Sequence, residues 1–327
     1  MRAVLLHRFG PPTGLRYEEV ADPEPGPGQA RIAVRAAGVH LVDAVVRRGC
    51  AGWLPRPELP AVPGSEVAGV VDAVGPGVPG SWLGRRVVTQ LGLAHGGYAE
   101  LAVREVGALH AVPDGLGFAE AVAMICTGGT ALGVLAAAAP GPDDVVVVTA
   151  AAGAVGHLLV QGASRAGAHV VGLAGCAAKR PVVLRSGAAV AVDHRQDGWA
   201  DRVRAELAGR EVTAVLDGVG GALGRGALDL LGPGGRVVMF GFSSGEPTEV
   251  TTADLFERAL SATVAVGPHV ARRAGGLRAL EARALAGAAC GRVAPVVRCY
   301  PLSGAARAHE DLEGRRTAGK VVLVPAG

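Results

Sequence analysis

A chain of 327 residues, half of them apolar and with a formal net charge of +3, is long enough for about two ordinary domains. It holds no apolar run near the ~20 residues of a membrane-spanning helix. The mild basicity does not describe a nucleic-acid surface, because the arginines are dispersed and aromatic residues make up only 3% of the chain, too few for a stacking platform.

Five cysteines (Cys50, Cys126, Cys176, Cys290 and Cys299) stand without C-x-x-C spacing. That spacing argues against a disulfide framework or a structural zinc knot and predicts reduced thiols in a soluble, cytoplasmic protein. Lys179 and Lys320 are the only lysines; the arginine excess reads as codon bias.

Through the first 120 residues, short valine-containing runs separated by Gly and Pro predict a compact, mostly β domain; "QARIAVRAAGV", "SEVAGVVDAVG", "GRRVVTQLG" and "GGYAELAVRE" are among them. Within this part, "VPGSEVAGVV" sets Ser65 and Glu66 between a Pro-Gly turn and a buried strand. A carboxylate at the edge of a core is costly unless a hydrogen-bond network, a metal or catalysis uses it. From about residue 121 the pattern changes. "DDVVVVTA", a glycine turn, the helical "HLLVQGASRAG" and the strand "HVVGLAG" follow one another, and the alternation continues through "AAVAVDH", "TAVLDGVGG" and "GGRVVMFGFSS". Strands separated by helices predict a parallel, doubly wound sheet. After about residue 258 the chain turns mixed again and ends in the strand "GKVVLVP".

The glycine turn "AAAGAVG" lies between the strand ending at Thr149 and a helix starting near His157. It is an A-x-G-x-x-G form of the dinucleotide fingerprint, formed by Ala152, Gly153, Ala154, Val155 and Gly156. Gly153 lets a pyrophosphate approach the backbone, Gly156 lets the helix pack on the sheet, and the helix N-terminus favours the anion. His157 reads as a helix N-terminal residue facing solvent. An NAD site needs a carboxylate at the end of the second strand, where this chain has Gly175, followed by Cys176, Ala177, Ala178, Lys179 and Arg180. The missing carboxylate and nearby cations fit the 2′-phosphate of NADPH, with Lys179 the favoured ligand; a solvated helix start is the other reading of Lys179 and Arg180.

Together with "AAGVHLVDAVVRRG", "PGSEVAGVVDAVGPGV", "GGYAE", "GAAVAVDHR", "LDGVGG", "GPGGRVVMFGFSSG" and "RRTAGKVVLVP", the layout resembles the medium-chain dehydrogenase/reductase superfamily. Within it, the chain is most similar to the zinc-free quinone oxidoreductase and enoyl reductase branch, over essentially its whole length. The resemblance implies an α/β protein: a GroES-like, mostly β catalytic domain (1–120 and 259–327) plus a Rossmann NADP(H)-binding domain with a doubly wound parallel sheet (121–258).

In the zinc-dependent branch the equivalent of Gly64-Ser65-Glu66 reads Gly-His-Glu, the histidine being a zinc ligand. Here serine stands in that position, and the other two ligand positions fall on His40 and Cys126. Glu66 could complete a set with them, but a catalytic zinc needs three protein ligands and neutral Ser65 is a poor third. The four-cysteine structural lobe is absent as well, so the resemblance implies no metal. Glu66 is then expected to be a structural acceptor, paired with an arginine such as Arg47 or Arg48.

Reduction of a conjugated acceptor (a quinone, enone or enoyl thioester) needs only hydrogen-bond donors and a proton source, because its oxygen takes the charge. The resemblance makes His40, where zinc-free relatives commonly carry asparagine, the candidate donor, with a packing role in the pocket wall as its alternative. Asp43 is its candidate orienting partner, or else a hydrogen-bonding partner of backbone. His95 and Tyr98 are candidate walls of the substrate cleft. Carried over by motif, Thr130, Phe242 and Ser243 approach the nicotinamide, Val219 is a further cofactor contact, and Lys179, His194 (where tyrosine is usual) and Arg316 approach the 2′-phosphate. The segment "TTADLFERALSATVAVG" resembles the family's dimer edge, which implies a homodimer. Three functions follow for comparison: an NADPH-dependent reductase, with a biosynthetic pathway as one setting; a non-catalytic NADPH-binding sensor; and an alcohol dehydrogenase with atypical zinc ligands. No nucleic-acid or membrane partner is expected.

Overall fold

In "QARIAVRAAGV" the alternate residues Ala30, Ile32 and Val34 are buried, the period of two that a strand with one face on a core imposes. The computed structural model, which describes residues 1–49, 56–92, 95–267 and 275–326, forms this segment into β3 (Gln29–Val39). The chain divides into two compact units, Met1–Cys126 with Leu285–Gly327, and Thr127–Ala284.

The first unit holds β1 (Arg2–Leu6), β2 (Leu15–Glu19), β3, β4 (Glu66–Val74), β5 (Arg86–Gln90), β6 (Leu101–Glu105) and β7 (His110–Ala111). The second holds β8 (Val145–Val148), β9 (His169–Ala174), β10 (Val190–Asp193), β11 (Val212–Asp217), β12 (Leu231–Met239) and β13 (Ser261–Val264), and the chain returns to the first with β14 (Val297–Pro301) and β15 (Lys320–Val324).

In the first unit β1 and β2 form a hairpin ladder, and the larger sheet runs β14-β15-β3-β4-β5-β7 with β6 also on β3. Its pairings are antiparallel except for β14 on β15. The core sits between these layers and includes Val4, Leu6, Ile32, Val67, Val71, Val87, Leu109, Val321 and Leu323. Two registers matter for function. Val39 pairs with Val321, so the next residues outward, His40 and Lys320, are neighbours. Ala37 pairs with Val67, so Gly38 flanks Glu66. Helix α1 (Leu41–Arg47) follows His40 directly, and α2 (Phe118–Ile125) packs over β3, β4 and β5 and ends at Cys126.

In the second unit the continuous apolar run Val145–Val148 is buried at every position, as a strand covered on both faces requires. The sheet is parallel throughout, in the order β10-β9-β8-β11-β12-β13. Counted from β8 this is 3-2-1-4-5-6, the dinucleotide-binding order, whose switch point lies between β8 and β11.

The structural boundaries differ from those expected at 120/121 and 258/259. Residues 121–126 stay with the first unit because α2 packs on its sheet, and 259–284 stay with the second because β13 extends its sheet from β12. Among the described residues no single helix is long and apolar enough to cross a membrane.

Candidate functional site

The sequence of the second unit builds a phosphate-sized turn at the end of β8. Ala150 adopts a positive φ of 46°, and the Gly153 N–H donates to the Ala150 carbonyl at 2.7 Å. A Cβ on Gly156 would lie 2.2 Å from that same carbonyl oxygen, so only glycine lets α4 (Gly156–Arg165) start there. At Gly153 the corresponding distance is 3.1 Å, tight but not forbidden. Ala152 is buried, Ala154 and Val155 are half-buried, and no side chain caps the helix N-terminus. His157 does not face solvent as expected: it is 1% exposed and its Nδ1 lies 2.8 Å from the Gly153 carbonyl oxygen. Burial lowers its pKa. A neutral imidazole therefore closes the turn from below.

At the end of β9, a Cβ on Gly175 would lie 3.5 Å from His194 Nε2. The register that pairs Ala174 with Asp193 puts the two residues side by side. Lys179 is half-buried just before α5 (Arg180–Arg185), whereas Arg180 directs its Nε to the Ala191 carbonyl at 2.8 Å. Gly175 and His194 thus lie side by side at the ends of β9 and β10, and Lys179 lies in the turn that follows Gly175. Arg316 belongs to the first unit and pairs there with Asp311 at 2.7 Å.

The next loop is organised by a residue that the sequence analysis passed over. Asp217, fully buried at the end of β11, accepts from Thr149 Oγ1 at 2.7 Å, Thr248 Oγ1 at 2.5 Å, Val219 N at 2.9 Å and Gly220 N at 3.1 Å. Ser243 N donates to Gly218 O at 3.1 Å and Ser244 N to Val219 O at 2.8 Å, so Val219, Phe242 and Ser243 lie on two zipped loops. The Phe242 ring is half exposed. Thr130 sits half-buried on α3 (Thr127–Ala138) of the same unit. The signal for Asp217 is a single carboxylate that ends a buried strand, in "LDGVGG".

In the first unit the two registers described above bring a buried charge cluster together. Glu66 and Lys320 are 0% and 1% exposed. Lys320 Nζ lies 2.5 Å from Glu66 Oε1 and 2.8 Å from His40 Nε2, and His40 Nε2 lies 2.9 Å from Glu66 Oε1. Glu66 lies flat on the backbone of β3, since a Cβ on Gly38 would be 1.9 Å from Oε1. Burial opposes ionisation of Glu66, but His40 and the Lys320 cation outweigh it and hold the pKa at about 2. The partner of Glu66 is therefore Lys320, not Arg47 or Arg48; both arginines pair with Glu313, at 2.6 and 2.8 Å.

Asp43 acts on the backbone of His40 rather than on its ring: Oδ2 accepts the His40 N–H at 2.7 Å. The same oxygen accepts Tyr98 OH at 3.1 Å, and Tyr98 OH also lies 3.1 Å from His309 Nε2. Tyr98 is fully buried and so is no wall of an open cleft, whereas His95 lines a small cavity with Asp43, Val46 and Val62. Burial raises the Tyr98 pKa well above its ordinary value and lowers that of His309 to about 4.

Ligand atoms of His40, Glu66 and Cys126 lie within 4.8 Å of one another, a spacing compatible with one metal ion. Zinc binds such atoms at about 2.0–2.3 Å. An ion about 2 Å from Glu66 Oε1 would lie within about 4.5 Å of the Lys320 ammonium. At that distance a divalent ion and an ammonium repel by about 7 kcal/mol at an effective dielectric constant near 20. The Lys320 ammonium therefore opposes a zinc ion at these atoms.

Residues 26–114 match the family described as alcohol dehydrogenase GroES-like domain, and residues 154–278 that described as zinc-binding dehydrogenase. The quinone oxidoreductase of Sus scrofa is 32% identical, the alignment covering 99% of this chain and 98% of that protein. A 2-haloacrylate reductase of Burkholderia sp is 32% identical, over 99% of this chain and 98% of the relative. The crystal structure of Escherichia coli quinone oxidoreductase complexed with NADPH superposes with a TM-score of 0.86 at 30% identity, covering 99% of this chain and 100% of that one.

Proposed function

The chain belongs to the medium-chain dehydrogenase/reductase superfamily, in its quinone oxidoreductase branch, and from that membership we propose that it reduces a small conjugated acceptor with NADPH and without zinc. The acceptor class is a quinone or an activated C=C bond of enone or enoyl type. The observation that carries this reading is the Lys320 ammonium, seated against the His40 and Glu66 atoms that a metal would need. With no Lewis acid to polarise an isolated carbonyl, an acceptor whose own conjugation spreads the charge fits best.

When bound, NADPH would supply a hydride to the conjugated acceptor, becoming NADP⁺, and the acceptor's oxygen would take up a proton. The turn at Gly153 and Gly156 holds the diphosphate, and Lys179 and His194 attract the 2′-phosphate. Thr130, Val219, Phe242 and Ser243 position the nicotinamide, and the Asp217 hydrogen bonds fix the loop that carries Val219. His40, held by Asp43 through its backbone, donates the hydrogen bond or proton to the developing oxyanion. The relatives named for quinone and 2-haloacrylate reduction support this acceptor class.

The active form is a homodimer joined along β13, which is one of the sheet's two outer strands and is exposed at every position, with Phe256 88% exposed on the helix before it. A cytoplasmic setting would keep Cys126 and its fellows reduced.

The test is loss of absorbance at 340 nm with a panel of benzoquinones, naphthoquinones and enones, with NADPH or NADH, before and after chelation. Turnover that prefers NADPH and survives chelation is expected. Activity lost with the metal would overturn the zinc-free part, and tight NADPH binding with no turnover on any acceptor would leave a nucleotide sensor. Light scattering at a single monomer mass would remove the dimer.

A further inference from the structure

We propose that the Lys320 ammonium is the resident cation of a latent metal site: with Lys320 present, His40, Glu66 and Cys126 are closed to divalent ions, and exchanging that one side chain for an uncharged one converts them into a zinc- or cobalt-binding site. The inference rests on the zinc-free reading and goes beyond it by making His40, Glu66 and Cys126 a competent metal site once that one side chain is gone.

The ligands are already gathered, their donor atoms lying within 4.8 Å of one another, and the backbone carrying each is placed by contacts that do not involve Lys320. His40 is held by Asp43 through its backbone, Glu66 rests on Gly38, and Cys126 follows the end of α2. A thiolate, an imidazole and a carboxylate are three protein ligands of the types zinc takes, leaving the fourth position open. Glu66 is fully buried, and Oε2 has no hydrogen-bond partner among the described residues. A buried carboxylate that loses its counter-cation either takes up a proton or captures another cation. With the histidine and thiol in reach, a divalent ion is favoured, and ligands preassembled by the fold reduce the cost of binding it. The cation of this site is a covalent part of the chain, carried in on β15.

The experiment compares wild type, K320M, K320R and the double variant K320M/C126S. Each is incubated with Zn²⁺, desalted, and assayed for metal; each is also titrated with Co²⁺ to look for the near-ultraviolet thiolate charge-transfer band. The expected result is about one zinc per chain and the cobalt band in K320M only, as a three-ligand site requires. Wild type and K320R should hold less than about a tenth of that, and K320M/C126S should lose the band. K320M should also melt at a higher temperature with zinc than without, because an ion that binds only the folded state stabilises it. Stoichiometric zinc in wild type would overturn both this inference and the zinc-free reading. No zinc in K320M would overturn the inference alone, as would a K320M that stays unfolded when expressed with zinc, since the ion should supply the missing charge.

Discussion

Lowering the pH from 6.5 to 4 should cost the first unit about 3 kcal/mol through His309 alone. The ring is fully buried. Tyr98 OH faces both Asp43, which can only accept, and His309 Nε2; the hydroxyl therefore donates to Asp43, and the imidazole carries its proton on Nε2. Its Nδ1 has no partner among the described residues, so a second proton would be buried without an acceptor. Burial, with Arg47 adding to it and Asp43 opposing, lowers the pKa to about 4 from an ordinary 6.5. Between those values the unfolded chain binds a proton that the folded chain does not. The stabilisation is therefore complete above pH 6.5 and is lost as the pH falls through 4. A difference of about 2.5 units at 1.36 kcal/mol each gives the figure of about 3 kcal/mol. Urea unfolding at half-unit steps of pH measures it. The substitution H309N should flatten the profile in this window by that amount, whatever it does to stability at pH 8. A variant that keeps the wild-type slope between pH 6.5 and 4 would refute the assignment.

The remaining expectations concern the charge cluster and the cofactor turn. E66Q leaves the buried Lys320 ammonium without its carboxylate and should destabilise the protein by about 3–5 kcal/mol, read from the denaturant midpoint; a change under about 1 kcal/mol would mean that solvent reaches the site. K179A should weaken NADPH binding by about 10- to 100-fold while leaving NADH affinity unchanged, the worth of one charged hydrogen bond to the 2′-phosphate, by fluorescence titration. Equal losses for both nucleotides would place Lys179 elsewhere. G156A puts a Cβ 2.2 Å from the Ala150 carbonyl oxygen; NADPH affinity should fall by at least about tenfold, with a shift of the turn visible in a crystal structure.

What could be read from the sequence divides by range. The dinucleotide turn and its parallel sheet were legible because they are local: strand, turn, helix and strand succeed one another, and the glycines mark where a Cβ cannot go. The boundary near 258 was misplaced because β13, "SATV", is exposed at every position and carries no apolar signature; only its pairing with β12 assigns it. His157 looked solvent-facing because a helix start usually is, and the tight turn buries it instead. The partner of Glu66 is not a nearby arginine but Lys320, brought in from the far end of the sequence on β15. No spacing rule reveals an antiparallel pairing of β15 with β3. The two lysines were conspicuous by rarity, and each lies in a proposed site.

The discontinuous make-up of the first unit bears on the order in which this protein assembles during synthesis. Its sheet needs β15, so Met1–Cys126 cannot close around a neutralised Glu66 until the whole of Thr127–Ala284 has left the ribosome. The parallel-sheet unit is contiguous and can form while the rest is still being translated. Until Lys320 arrives, the half-built first unit carries an unpaired carboxylate at the place where its core must seal. Premature closure is thereby penalised, and β15, made only after the whole of the second unit, is the strand that completes the charge cluster.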